Sequence, residues 1–559
     1  VENNDTAVDL VRQFDEKVRP ARLEHEKRWQ EIAEFLIPDR SILMQDNGYV
    51  DVGKKTHNRV FDGTAIHAAL MCANGVAGYM CSPSYRWIKL LMSPPELNQS
   101  AAVKKFLQDT EEQLYYDLQQ SDFYSAVHQF ILDGVSISTA TMFIEDDLGR
   151  RRMRFMVRHP YEIFVVSNAW GEVEMVFRWY YSTARNVEGE FGYENLTPRL
   201  KDLCKKNPHE RVELLHVTYP TRERSIAKLG VNKPITSVFI DKTDRKILSQ
   251  GGFDENPNIV WRWSLASGED YGRGPGSNAI KDVMVLNEVA RTGLITRQKH
   301  AMPPMDIPLE RRGRVNLNPD GRNYYEDATR KVENILKGYA PVPTVDVEQR
   351  LQAIIKEHFF VDFFLMLANA QRIMTATEII EKQGEKAAVL SAITGRFGTE
   401  GLDRIIHRAL AIGVRAGRMP APPDELLEYA GTRGKVDYQI QYLGPLAQAQ
   451  RRLFKVQGIV RSLESLVPIF QIAPDSIDRF DWDEVVEEIA DSNGMPERLM
   501  RSDEELAKIR QAKQMQQQQM QQLAQLEAMA KAMPGLSKAP EANSPVDAMI
   551  AAGQGNVAQ

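Results

Sequence analysis

A chain of 559 residues, 43% apolar and 26% charged, has the composition of a globular protein of roughly two to four domains with a large core. Its formal net charge of -6 argues against a tight nucleic-acid clamp, though not against DNA passing without a grip. Its three cysteines, Cys72, Cys81 and Cys204, show no C-x-x-C spacing, which argues against a disulfide framework or zinc site and for a reducing compartment.

Residues 6–37 read as one long helix: Trp29, Ile32, Ala33 and Leu36 recur at helical spacing and Pro38 ends the run. The acidic, polar start shows no signal-peptide pattern. Residues 65–80 read as a helix lined with Ala68, Ala69, Ala73, Gly75, Ala77 and Gly78, small enough to admit another backbone. An extended piece begins at Trp87, and residues 101–120 and 123–132 are helical. Then the pattern becomes β-branched and aromatic. Strands are expected at 141–144, 153–157, 163–166, 173–181, 212–219, 235–240 and 259–263, with a turn at 146–149.

Next comes a hairpin-like plan. Tyr271-Gly272-Arg273-Gly274-Pro275-Gly276 leads into a helix to His300, with Ile280, Val283, Leu286, Ala290 and Leu294 three and four apart. An insert with prolines 303, 304, 308, 319, 341 and 343 cannot continue a helix and reads as a small unit of turns and short strands. A second helix over 347–369 repeats the spacing with Val347, Leu351, Ile354, Ile355, Phe359, Phe363 and Met366. Residues 377–417 read as a long helix kinked at Gly384 or around 395–401, then Pro420, Pro422 and Pro423 break it. Helix resumes over 446–467. Ser502 and Glu505 form a capping box opening a Gln- and Met-rich run to Met533, whose Leu523, Leu526, Ala530 and Met533 make a weak coiled-coil seam. From Pro534 the composition predicts disorder. The most apolar window, 359–367, is interrupted by Asp362 and falls far short of the ~20 residues that span a bilayer, so no membrane association is expected.

The search for chemistry returns little. The segment from Gly48 to Lys55 lacks a P-loop's hydroxyl after the lysine, since Lys55 stands there and Thr56 comes one place late; it reads as a solvated loop. Gly272 to Gly276 could approach a phosphate at a helix start, but without a Rossmann fingerprint it reads as a tight turn launching a helix near Ser277. The ten histidines show no ligand spacing, and no nucleophile elbow or acidic metal cluster stands out. Arg311, Arg312 and Arg314 read as a solvated or interface patch. No catalytic residue, metal or cofactor is expected, and the chain reads as structural rather than enzymatic.

Four ordered motifs carry a resemblance. They are Trp29 to Pro38; Phe61-Asp-Gly-Thr-Ala65 continuing through Gly75, Gly78, Pro83 and Trp87; Tyr271 to Gly276 followed by Leu286-Asn287; and Thr375-Ala-Thr-Glu-Ile379 with Leu443 to Gln450 later. Together they resemble the portal, or head-to-tail connector, proteins of short-tailed, T7-like bacteriophages, over about residues 8–500. The resemblance implies an α+β, mainly helical subunit in a ring, typically of twelve copies, around a central channel. On that plan residues 1–270 are the first part of a wing, 271–301 stem helix 1, 302–346 the clip and 347–369 stem helix 2. Residues 370–376 would be the tunnel loop, 377–470 the second part of the wing, 471–533 the crown or barrel, and 534–559 a disordered tail.

Implied partners are further copies of the chain, double-stranded DNA in the channel, the terminase large subunit, a tail adaptor or tail tube protein, scaffold and major capsid protein, and internal core proteins. The implied place is the portal vertex of the virion, after assembly in the host cytoplasm. Implied roles are nucleating head assembly, docking the motor, and passing DNA in and out. Lys281, Arg291, Arg297 and Lys299 on stem helix 1 and Arg372 near the tunnel loop are candidates to face phosphate, with intersubunit salt bridges as the competing reading. Arg311, Arg312 and Arg314 are candidates for docking at the clip. Alternatives are a packaging ATPase or nuclease, or another structural tail or core protein.

Overall fold

The computed structural model describes residues 2–38, 59–147, 152–221, 233–302, 345–369, 395–433, 437–443 and 503–532, with short pieces between 305 and 334 and between 462 and 486. The chain divides into two units, Val1–Leu466 and Val467–Gln559.

The first unit opens with α1 (Glu2–Gln13), a π turn (Phe14–Val18) and α2 (Arg19–Leu36). The expected single helix is therefore continuous but underwound at one place. Pro20 has no N–H to offer the carbonyl four residues back, and the Arg19 N–H bonds to Phe14 O, five back. The turn lets one helix serve two cores. Phe14 and Val18 are buried with the sheet residues Phe164, Phe177 and Trp179, while Trp29, Ile32, Ala33 and Leu36 belong to the main helical core.

That main core is built from α2, α3 (Thr64–Met80), α4 (Ala101–Gln120) and α5 (Phe123–Ser136). The small residues of α3 admit a side chain rather than a backbone. A methyl group at Gly75 would stand 2.2 Å from the ring of Phe364.

Two antiparallel sheets follow. A three-stranded sheet has the order β3 (Arg152–Arg158), β2 (Thr139–Asp147), β9 (Asn258–Arg262). A five-stranded sheet runs β4 (Ile163–Ser167), β5 (Val173–Thr183), β6 (Arg211–Pro220), β7 (Ile235–Asp241), β8 (Lys246–Phe253). Strand alternation sends Trp179 and Leu215 to the face covered by α1. Tyr180 and Leu214 go to the face covered by α6 (Ala184–Phe191) and α7 (Pro198–Lys206). The sequence reading missed α6, α7 and β8, and it placed a turn at Asp146 and Asp147 where β2 still runs.

The hairpin consists of α8 (Pro275–Ala301), α9 (Val345–His358) and α10 (Val361–Asn369). The expected unbroken second helix over 347–369 is thus corrected to two helices. Phe360 takes a left-handed φ of 55° between them. In one straight helix Phe359 and Phe364 would point about 140° apart. The break allows both to be buried. Within the insert, β10 (Met305–Asp306) pairs with β11 (Glu333–Asn334).

After the hairpin, a π turn (Phe397–Leu402) lies where the sequence suggested a kink, and runs into α11 (Asp403–Arg415). Then come α12 (Asp424–Arg433) and β12 (Tyr438–Tyr442), both unforeseen. β12 pairs antiparallel with β1 (Ile88–Met92), Ile88 opposite Tyr442. A strand from before the hairpin is thereby joined to one from after it. Gly384, the tunnel-loop segment and most of 446–467 lie outside the described residues. In the second unit α13 (Asp503–Ala532) fills the expected Gln-rich run; Ser502 lies outside the described residues.

Candidate functional site

The turn that launches α8 is a buried joint. Tyr271 is enclosed, its hydroxyl accepting from Val165 N at 3.2 Å, its ring 5.2 Å from that of Trp29. Gly272 N donates to Thr139 Oγ1 at 2.9 Å and Arg273 N to Ser264 O at 2.7 Å. A methyl group at Gly272 would stand 2.2 Å from Ser138 O, and one at Gly276 2.0 Å from Ser136 O. The glycines are there so that backbone can lie on backbone. Gly274 caps the helix and Pro275 takes its first position, where a missing N–H costs nothing. Only Arg273 reaches solvent, and it pairs with Glu269. The turn offers no open cradle for a phosphate.

α8 is about 40 Å long at 1.5 Å per residue. Its buried face, from Pro275 and Gly276 through Ala279, Ile280, Val283 and Leu286, belongs mostly to its first half. The Asn287 amide bonds twice to the segment before α3: its Oδ1 accepts from Phe61 N at 2.7 Å, and its Nδ2 donates to Arg59 O at 2.9 Å. α9 returns antiparallel. His358 Nε2 lies 3.2 Å from Asp282, and Arg297 donates to both oxygens of Glu348 at 3.2 Å.

The four cations singled out on α8 do not converge. Lys281 pairs with Glu31 of α2 at 3.3 Å, Arg291 with Glu288 at 3.5 Å, and Arg297 with Glu348. Each of these pairs lies within the subunit. Lys299 is exposed and makes no ion pair with a described residue. Arg372, Arg311, Arg312, Arg314 and the Gly48 to Lys55 segment lie outside the described residues.

The chain that returns from the hairpin is fastened to the chain that entered it by arginine–carboxylate clasps. Buried Arg262 donates to Glu400 Oε1 at 2.8 Å and to Gly171 O at 2.7 Å. Arg408 and Arg415 both grip Glu255, at 2.6 and 2.7 Å. Burial works against ionisation of Glu255, yet the two guanidinium groups hold its pKa below the usual range. Arg418 reaches Asp117 at 3.0 Å. Nearby, Trp87 stacks between Phe123 and Tyr442. At the other end Arg22, wholly buried, donates to the carbonyls of Pro160, Tyr161 and Ile163 and pairs with Glu26. None of these roles was read from sequence. Arg262 was the readable one: a charge inside the apolar run Asn-Ile-Val-Trp-Arg-Trp needs a partner.

Among the described residues, no group of three or more His, Cys, Asp or Glu could hold a metal ion, and no helix is long and apolar enough to cross a membrane. The model of the family described as "Bacteriophage head to tail connecting protein" matches residues 9–500. The "Probable portal protein" of Bordetella phage BPP-1 is 28% identical over 511 residues, 89% of each chain. The "Portal protein" of Salmonella phage epsilon15 is 25% identical over 511 residues, again 89% of each.

Proposed function

Because the chain belongs to the bacteriophage head-to-tail connecting proteins, we propose that it is a portal subunit whose copies close into a ring at one capsid vertex, around the channel for DNA packaging and ejection. The observation that carries this reading is the match across 9–500, which takes in the joint, the hairpin and the clasps alike. A dodecamer of the short-tailed, T7-like plan is the arrangement we favour, on the order of the four sequence motifs. In it α8 to α10 form the stem, the insert the clip, and the helices and sheets on either side the wing.

The physical chemistry supports a conduit. DNA carries a charge about every 1.7 Å, so a channel densely lined with free cations would hold it through counterion release. Here the cations of α8 stand mostly opposite carboxylates, in a chain of net charge -6. Such a wall lets DNA slide. Arg372 is our candidate at the constriction, and Arg311, Arg312 and Arg314 are our candidates for docking the terminase motor and later the tail adaptor. We further assign the chain a part in nucleating head assembly with scaffold and major capsid protein.

The purified chain should form closed rings near twelve copies by electron microscopy and native mass. Sixfold tubes or monomers only would overturn the reading. ATP turnover abolished by Lys54→Ala would point instead to a packaging ATPase.

A further inference from the structure

Two of the ordered sequence motifs meet in space. Phe61-Asp62-Gly63-Thr64 leads into α3, and Leu286-Asn287 lies midway along α8. The short strap 59–63 is bonded to helices on every side. Arg59 pairs with Glu34 of α2 at 3.1 Å. The Asn287 amide holds the main chain on both sides of Val60, accepting from Phe61 N and donating to Arg59 O. Asp62 works in two directions. Its Oδ2 accepts from Gln352 Nε2 of α9 at 2.9 Å, and its Oδ1 accepts from Thr64 N at 2.8 Å, at the start of α3.

The strap lies where the hairpin loses its support. Beyond Asn287 the only buried residue of α8 is Gly293, and ahead of Gln352 no residue of α9 is buried. The anchoring apolar packing, with Leu286 and Ile355 outermost, therefore ends at the level of the strap. Outward of it, among the described residues, the one ion pair between elements is that of Arg297 with Glu348. The strap itself buries no side chain. Phe61 is 45% exposed, with the Arg291 guanidinium 5.9 Å from its ring centroid. Bonds this open to water add little to global stability, because water replaces them when they break. What they supply is direction. An amide can accept from one peptide unit and donate to another at once, so Asn287 fixes how the strap crosses α8.

We propose that the strap 59–63 is a clamp at the root of the hairpin, and that it sets the angle at which the hairpin leaves the body. Asn287 is the positioning residue on α8 and Gln352 the one on α9. The clamp opens by giving up exposed polar bonds and no buried apolar surface, so it opens locally while the cores stay closed. The outer hairpin then pivots about the packing of Leu286 and Ile355. This concerns the single subunit and stands whether or not copies close into a ring.

The test uses the full chain with Cys204→Ser, since Cys72 and Cys81 are buried and Cys204 is partly exposed. Donor and acceptor dyes at Tyr116→Cys on α4 and Thr292→Cys on α8, both exposed, read the hairpin angle. Dyes at Tyr116→Cys and Trp170→Cys read the body alone. Energy transfer is recorded one chain at a time at picomolar dilution, so that no neighbour holds the hairpin. Asn287→Ala with Gln352→Ala should widen the hairpin distribution about twofold and leave the body distribution as in wild type. Asn287→Asp keeps an acceptor for Phe61 N but has no donor for Arg59 O, and its width should fall between. A hairpin distribution as narrow in the double variant as in wild type would overturn the proposal. Equal widening of both pairs would overturn it too, since the strap would then be supporting the core rather than setting an angle.

Discussion

Gly276 has no room for a side chain, because Ser136 O lies where a methyl group would go, 2.0 Å away. Neither atom is the free end of a flexible chain, so α5 or α8 must move. Gly276→Ala should therefore cost about 3 kcal/mol, at the upper end of overpacking effects, read as a lower urea midpoint. Gly78, on the exposed side of α3, has nothing within 4 Å of such a methyl; Gly78→Ala should gain about 0.5–1 kcal/mol from helix propensity. Similar losses from both would show that the joint is not tight. His216 tests a different property. It is buried between β5 and β7, bonds to Ser237 at 2.8 Å and stacks on Phe239 at 4.0 Å. Burial, then Arg178 and Arg158, push its pKa down to about 3 from 6.5. Below about pH 6.5 the unfolded chain takes up a proton that the folded one refuses. Stability present above pH 6.5 is then lost as pH falls toward 3, at about 1.4 kcal/mol per pH unit. In His216→Gln the fall in melting temperature between pH 6.5 and 5 should be shallower than in wild type; equal slopes would show that the ring is protonated in the fold.

At the scale of elements, what matters is how a hairpin inserted into a domain leaves that domain whole. The β1–β12 ladder and the Arg262–Glu400, Arg408–Glu255 and Arg418–Asp117 pairs all join segments separated by the hairpin. Arg262 is the most enclosed of them, and Arg262→Ala leaves the Glu400 carboxylate with Arg396 alone, at 3.3 Å, so it should destabilise by about 2–3 kcal/mol. Hydrogen exchange should quicken first in the Phe397–Leu402 turn and α11, while α6 and α7 stay protected. Uniform loss of protection would mean that the clasp does not divide the unit. This level was partly legible in the sequence. Helices with a clear 3.6 period, such as α2 and α4, and strands rich in Val, Ile and Phe, such as β5 and β6, announce themselves locally. β12, Tyr-Gln-Ile-Gln-Tyr, does not, because it becomes a strand through a partner some 350 residues earlier. The break at Phe360 was hidden for a related reason. Phe359 and Phe363, four apart, fit one helix face until the pocket beneath Gly75 takes Phe364. The cations of α8 could be counted from sequence, but their carboxylate partners Glu31 and Glu348 come from two other helices.

For the whole molecule, the question is which parts must be present for copies to close. The family match ends at residue 500, and the chain divides into units at Leu466 and Val467. α13 shows exposed Met515 and Met520 and a run of glutamines, with an apolar seam too sparse to hold a ring by itself. The body, by contrast, has large cores and the clasped halves on either side of the hairpin. If closure belongs to the body, a chain ending at Arg501 should still form rings of the same copy number. Its main melting transition should shift by less than about 2 °C, since no core of the first unit is removed. Rings that fail to form, with the melting transition intact, would place closure in the Gln-rich helix and make the seam of Leu523, Leu526 and Ala530 the assembly element. The two outcomes rest on different physics. Closure through the larger first unit could bury more surface per copy and should survive dilution, whereas a bundle of thin seams gains stability only by adding strands and should dissociate first as concentration falls.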